Sequence, residues 1–310
     1  MGKTILVTGA SGLLGSAVCK VLKEKQFNYI EHNSKICNLL DKNQVNPYFK
    51  SLKQNFNIDT VIHCAAEVGG VLKNTQYKEE MFINNININN NVFDACNEQK
   101  IFNFVNILST CLFPNNAQYP LTPEQINNND PHNSAFGYAL AKRLSYNFVN
   151  SYNRVFNKNW INIIPTNIYG INDNFNLLNS HVIPALIRKA YDCKINNEDY
   201  VIWGDGESLR QFIFSEDLAK LIIWTLDNWK SNEPFMAVNP KEYAIKDIAF
   251  MIADKFNLNK DKIKFDTSKP SGIYKMPAIT NAEWYKFIPL DTGLEKTIKW
   301  FEENYNIIRK

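Results

Sequence analysis

The chain of 310 residues is long for one ordinary domain and leaves room for a nucleotide-binding α/β unit with a smaller lobe attached. Its 34 Lys and Arg stand against 31 Asp and Glu, and a formal charge of +3 spread along the chain argues against a nucleic-acid partner. The six cysteines form no CxxC pair and no regular spacing, so neither a disulfide framework nor a metal site is expected.

The thiols read as reduced, which suits a cytoplasmic protein, and no apolar stretch reaches the length needed to enter a membrane. Along the chain, strand-like apolar runs are expected at 5–8, 28–31, 60–64, 103–108 and 161–165, alternating with helical segments. The first helix, over 13–23, places Leu14, Val18, Val21 and Leu22 on one face, and a long helix is expected over 82–96 despite its asparagines. The asparagine patches at 84–91 and 127–129 read as compositional bias on solvated faces. This alternation predicts a Rossmann-type, doubly wound parallel sheet over residues 1–170. Residues 171–310 mix short strands, helices and loops such as Gly204-Asp205-Gly206, and are expected to form a smaller C-terminal α/β lobe, mainly for substrate.

The segment Thr8-Gly9-Ala10-Ser11-Gly12-Leu13-Leu14-Gly15 follows the first strand and opens the first helix. Glycines there let backbone N–H groups approach a pyrophosphate, which side chains would block. The end of the second strand decides the nicotinamide cofactor: an acidic residue holds a ribose 2′-OH, a basic one a 2′-phosphate. Ser34 and Lys35 occupy that end while Glu31 falls inside the strand, so NADP(H) is the expected cofactor.

Tyr138 and Lys142 stand four apart in a helical segment preceded by Asn133-Ser134, which puts them on one face. A phenol with a pKa near 10 donates and accepts protons poorly at neutrality, and a neighbouring ammonium is expected to lower it. Ser109 follows the strand ending at Leu108, at the carboxyl edge where open α/β sheets bind ligands, and its hydroxyl could hydrogen-bond a carbonyl under reduction.

Together these residues resemble the extended short-chain dehydrogenase/reductases. Further stretches narrow the likeness to the GDP-L-fucose synthase family: Ala65-Ala66-Glu67-Val68-Gly69-Gly70, Ser109-Thr110-Cys111-Leu112-Phe113-Pro114, Pro165-Thr166-Asn167, Asp173-Asn174-Phe175-Asn176 with His181-Val182-Ile183-Pro184, and Trp203-Gly204 with Arg210-Gln211-Phe212. The resemblance runs nearly end to end. It implies conversion of GDP-4-keto-6-deoxy-D-mannose to GDP-L-fucose, by epimerisation at C3 and C5 and then NADPH-dependent reduction of the C4 ketone.

The resemblance also implies Cys111 and His181 as the epimerisation pair, and the chemistry agrees, because carbons flanking a ketone are acidified by enolate formation. Alone, Cys111 reads as a small buried hydrophobe and His181 as a satisfied core or surface histidine. By the same carry-over Ile107, Leu108, Ser109, Thr110, Pro165, Thr166, Asn167, Ile168 and His181 would line the cofactor. Lys189, Trp203 and Arg210 would face the GDP-sugar, the two cations neutralising its diphosphate. A homodimer is implied, built on the helices that follow Phe82 and Ser134. One departure stands out: the family commonly places Asp before a glycine where this chain has Ser271-Gly272, a change that bears on guanosine affinity.

Two alternatives belong beside this reading. One is an epimerase or reductase of the extended type acting on a UDP- or dTDP-linked sugar, though a simple 4-epimerase needs no Cys111 and His181 pair. The other is a catalytically silent NADP-binding regulator, which would not need to retain Ser109, Tyr138 and Lys142 together.

Overall fold

The computed structural model describes residues 4–269 and 274–308. The elements run β1 (Thr4–Thr8), α1 (Leu13–Glu24), β2 (Tyr29–Glu31), α2 (Lys42–Phe56), β3 (Ile58–His63), α3 (Val71–Gln76), α4 (Lys78–Glu98), β4 (Asn103–Ile107), α5 (Phe136–Phe156) and β5 (Asn159–Pro165). They continue with β6 (Asn167–Tyr169), α6 (Val182–Asn196), β7 (Tyr200–Trp203), β8 (Leu209–Phe214), α7 (Ser215–Asn228), β9 (Phe235–Ala237), β10 (Glu242–Ala244), α8 (Ile245–Lys255), β11 (Ile263–Asp266) and α9 (Leu290–Glu303).

Six strands form one parallel sheet in the order β2-β1-β3-β4-β5-β9. Parallel strands need helical crossovers, which cover both faces and bury side chains on either side of each strand. Ile5 and Val7 accordingly pack with α1 and α7, through Val18, Leu22, Leu218 and Ile222. Leu6, Val61, Phe104 and Trp160 face the other way, against Phe49 of α2, Phe93 of α4 and Val149 of α5. Each such side chain removed from water stabilises the fold by about 1.5–3 kcal/mol. The chain leaves β1 toward β2 and returns to β3 on the opposite side, so the crevice of the sheet opens between the carboxyl ends of β1 and β3.

The doubly wound sheet agrees with the expectation; the clean division at residue 170 does not. β9 adds to β5 through Ile163 and Phe235, and α7 packs on α1. Residues 215–237 therefore return to the first sheet, because the apolar faces of β5 and α7 find their burial there. The second core gathers Phe175, Ile187, Phe212, Ile248, Leu294 and Phe301 from α6, β8, α8, α9 and the loop before α6. Among the described residues two small sheets adjoin this core, β11-β7 and β10-β8-β6, the latter taking its edge strand β6 from before residue 170.

The reading of asparagines 84–91 as a solvated patch is also corrected. Asn85, Asn89 and Asn91 are buried on α4. Asn85 donates to the carbonyl oxygens of Glu67 and Met81, Asn91 donates to that of Leu39, and Asn89 meets His63 at 3.2 Å. Asn85 and Asn89, four residues apart, share one face of α4 and Asn91 lies on another, and burial of each is accompanied by at least one polar contact. Among the described residues, no helix is long and apolar enough to cross a membrane.

Candidate active site

A cleft of about 530 Å³ opens at the carboxyl ends of the strands. Gly9 follows β1 with a φ of 66°, and a Cβ there would lie 2.8 Å from the Ala65 backbone just past β3. A Cβ on Gly15 would collide with the Gly9 carbonyl. The Gly12 amide donates to the Gly9 carbonyl oxygen at 2.9 Å, which folds the turn tightly before α1 begins. The result is a tight turn at a helix N-terminus whose glycines leave room for the backbone to approach a pyrophosphate. The buried Thr166 hydroxyl on the same cleft has no hydrogen-bond partner among the described residues and is a further group that a bound dinucleotide could satisfy.

Tyr138 and Lys142 project from α5, which opens through a 3₁₀ turn, Asn133–Ala135. That turn is capped by His132, whose Nδ1 accepts from the Ser134 amide, one residue earlier than the sequence suggests. Lys142 is buried, and its Nζ donates to the Ile107 carbonyl oxygen at 2.7 Å while lying 5.6 Å from the Tyr138 ring centre. Burial pushes the ammonium down to about 8. The expectation that Lys142 lowers the phenol is not met: burial, with Cys111 beside it, pushes Tyr138 upward. Both groups lose solvent, so each disfavours its charged form, and the ammonium is directed at Ile107. A neutral phenol is still the form a proton donor requires.

Ser109 sits just past β4 and its hydroxyl accepts from the Cys111 amide at 3.3 Å, opening the 3₁₀ turn Thr110–Leu112. Cys111 is half-buried. Burial pushes its thiol up to about 11, while Ser109, Lys142 and Arg143 all favour the thiolate. His181 lies at the cleft mouth, as the residue before α6, and desolvation holds its imidazole below the ordinary value although its side chain keeps solvent exposure. Its loop is fastened at two points: Asn172 donates to the Ser11 carbonyl oxygen at 2.9 Å, and the Gly70 amide donates to that of Asn179 at 2.9 Å.

Of the residues singled out from sequence, Gly9, residues 11–15, Ser34, 107–110, Tyr138, Lys142, 165–168 and His181 line this cleft together. Ala10 does not; it is buried, and its amide donates to the His32 carbonyl oxygen at 2.8 Å. Lys35 and Cys111 also fall outside the lining, although each adjoins a lining residue. Lys189, Trp203 and Arg210 stand apart from it in the second part of the chain. Lys189 lies 4.6 Å from the Trp203 ring centre and donates to Val201, and burial pushes its ammonium down to about 8. Arg210 donates to the carbonyl oxygens of Leu209 and Tyr274 at 2.7 and 3.3 Å. Ser271 and Gly272 lie outside the described residues.

Sequence reading did not assign His32, Cys64 or Asp173 to the cleft. Cys64 was reachable in principle, because the switch point of the sheet lies at the end of β3. His32 was reachable for a like reason, since it directly follows β2 at the same edge of the sheet, whereas Asp173 depends on how its loop returns over the sheet.

A parallel sheet with a glycine cradle at its switch point, and a Ser, Tyr and Lys gathered beside it, defines a dinucleotide-dependent oxidoreductase of the short-chain type. The sequence profile of the NAD dependent epimerase/dehydratase family matches residues 5–239, and the chain belongs to that family. Within it, the chain is similar to GDP-L-fucose synthases. It is 40% identical over 319 residues to the GDP-L-fucose synthase of Dictyostelium discoideum, covering 99% of this chain and 98% of that one. It is 36% identical to the probable GDP-L-fucose synthase of Drosophila melanogaster, covering 99% and 100%. The crystal structure of a GDP-L-fucose synthetase from Naegleria fowleri bound to NADP superposes with a TM-score of 0.90 at 36% identity, covering 99% of this chain and 95% of that one.

Proposed function

We propose that this protein converts GDP-4-keto-6-deoxy-D-mannose to GDP-L-fucose, epimerising C3 and C5 and reducing the C4 ketone with NADPH. The observation that carries the reading is the placement of Ser109, Tyr138, Lys142 and His181 on one cleft with the glycine cradle, with Cys111 two residues from Ser109. The likeness to GDP-L-fucose synthases over the whole chain supports it.

Bound NADPH supplies the hydride that reduces C4. The chain does the rest. The Cys111 thiolate removes the proton next to the ketone and protonated His181 returns one on the opposite face; the Cys111 proton then leaves to solvent and His181 takes one up before the pair acts at the second carbon, so C3 and C5 are inverted in turn with no net proton change. Ser109 hydrogen-bonds the C4 oxygen, and Tyr138 gives it a proton as the alcohol forms. Lys142, held by Ile107, places a positive charge beside the phenol and the cofactor ribose. Lys189, Trp203 and Arg210 receive the GDP moiety from the second part of the chain.

The reading includes a homodimer in the cytoplasm. Supporting it are the exposed Ile83 on α4 and the exposed Leu144 and Phe148 on α5, apolar groups on two mutually packed helices, together with the unpaired cysteines. The test is direct: supply GDP-4-keto-6-deoxy-D-mannose and NADPH, follow the loss of NADPH absorbance, and identify the nucleotide sugar. Formation of GDP-L-fucose is the expected result, and consumption of NADPH without it would overturn the assignment.

A further inference from the structure

Arg143 follows Lys142 on α5 and is half-buried. Its Nε and Nη2 both donate to the Leu112 carbonyl oxygen, at 3.0 and 2.6 Å, and its Nη1 donates to that of Asn129 at 2.7 Å. Leu112 closes the 3₁₀ turn that carries Cys111. Asn129 belongs to a loop joined to the chain just after that turn: the Asn115 amide donates to the Asp130 carbonyl oxygen at 2.9 Å, and Pro114 bridges to Pro131. One guanidinium thus fastens both segments to the helix that presents Tyr138 and Lys142. Its rigid planar fork fixes direction as well as distance, which a lysine cannot do.

The sugar chemistry makes this fastening consequential. The carbons to be inverted flank the carbon to be reduced, so a single bound ketose must meet the thiol on one side and the phenol at its carbonyl oxygen. Misplacement by about an ångström is enough to cost a large factor in rate. We propose that Arg143 is a positioning residue that holds the Cys111 turn in register with Tyr138 and Lys142, coupling the carbon-acid chemistry to the reduction site. The proposal rests on the reading of Cys111 as the epimerisation base. The guanidinium also favours the thiolate by its charge, so its removal has an electrostatic signature as well.

The test uses the full chain as wild type, Arg143→Gln, Arg143→Lys and Cys111→Ala, each checked for cooperative thermal unfolding and NADPH binding. Two rates are read: deuterium exchange into C3 and C5 of GDP-4-keto-6-deoxy-D-mannose, and oxidation of GDP-L-fucose by NADP⁺, which needs Tyr138 and Lys142 but no carbon-acid step. Arg143→Gln should lose about tenfold or more in exchange while oxidation stays within about twofold. Arg143→Lys, which keeps the charge but not the fork, should restore only part of the exchange rate, and it decides the matter if the glutamine variant does not fold. Parallel loss of both rates, or unchanged exchange, would overturn the proposal. If Cys111→Ala loses exchange while both Arg143 variants keep it, the proposal alone fails. Exchange at the wild-type rate in Cys111→Ala removes the Cys111 reading, and the proposal with it.

Discussion

The ammonium of Lys142 is bound to the main-chain carbonyl of Ile107 at 2.7 Å, which joins the middle of α5 to the end of the strand that leads into Ser109. This bond fixes the cation at the cleft, and the burial that accompanies it holds Lys142 down at about 8. Lysine is charged below its pKa, so reduction should be level at neutral pH and fall as pH rises through about 8. The thiol of Cys111 behaves oppositely, since its charged form grows toward about 11. His181, the acid of the pair, is held below its ordinary value and loses its proton as the thiolate grows, so exchange at C3 and C5 should stay level between neutral and alkaline pH while reduction declines. Parallel pH profiles for the two would contradict these assignments.

Replacing Tyr138 with Phe removes the proton donor and leaves the packing of α5 nearly intact. Tyr138→Phe should reduce substrate about 10²- to 10⁴-fold more slowly, with little change in NADPH affinity. Stopped-flow reduction and a fluorescence titration of NADPH separate the two effects. Reduction by a folded variant at the wild-type rate would exclude the phenol from the chemistry.

Cofactor preference should follow the end of β2. Ser34 lines the cleft and Lys35 adjoins it, so NADPH should be favoured over NADH. Lys35→Ala should erode that preference by about tenfold, mainly through KM, because a surface phosphate contact serves ground state and transition state alike. Equal kcat/KM for the two cofactors in the wild type would refute this.

A chain of buried polar groups ties α5 to the sheet. Ser145 donates to Asn106 at 3.0 Å, Asn106 to Asn162 at 2.9 Å, and Asn162 to Asn150 at 3.1 Å, so the path leaves α5, crosses β4 and β5, and returns to α5. Ser145→Ala deprives the buried Asn106 oxygen of its donor and should cost about 1–3 kcal/mol in urea unfolding. No measurable loss would mean that the network is not a source of stability.

Much of the first half of the chain was legible in the sequence. Parallel strands buried on both faces appear as short apolar runs, and those around Val7, Val61, Val105 and Ile163 fall where the strands do. The glycine turn and the spacing of Tyr138 and Lys142 are local and could be read without a partner. The return of β9 to β5 could not, because nothing within residues 235–237 says which strand they will join. The buried asparagines of α4 escaped for a related reason: an amide is solvated or satisfied inside according to partners such as Leu39, 52 residues away. The shift of Tyr138 was misjudged because sequence supplies the neighbouring charge but not the burial that outweighs it.

The central claim, that one site inverts two carbons and then reduces the ketone between them, is tested most directly by turnover in deuterium oxide. GDP-4-keto-6-deoxy-D-mannose and NADPH are supplied, and the nucleotide-sugar product is examined by NMR. The wild type should yield GDP-L-fucose carrying deuterium at both C3 and C5, and Cys111→Ser should yield product with little at either, because a hydroxyl is a far poorer base than a thiol. A wild-type product reduced at C4 but free of deuterium at C3 and C5, or full labelling by Cys111→Ser at the wild-type rate, would contradict the account.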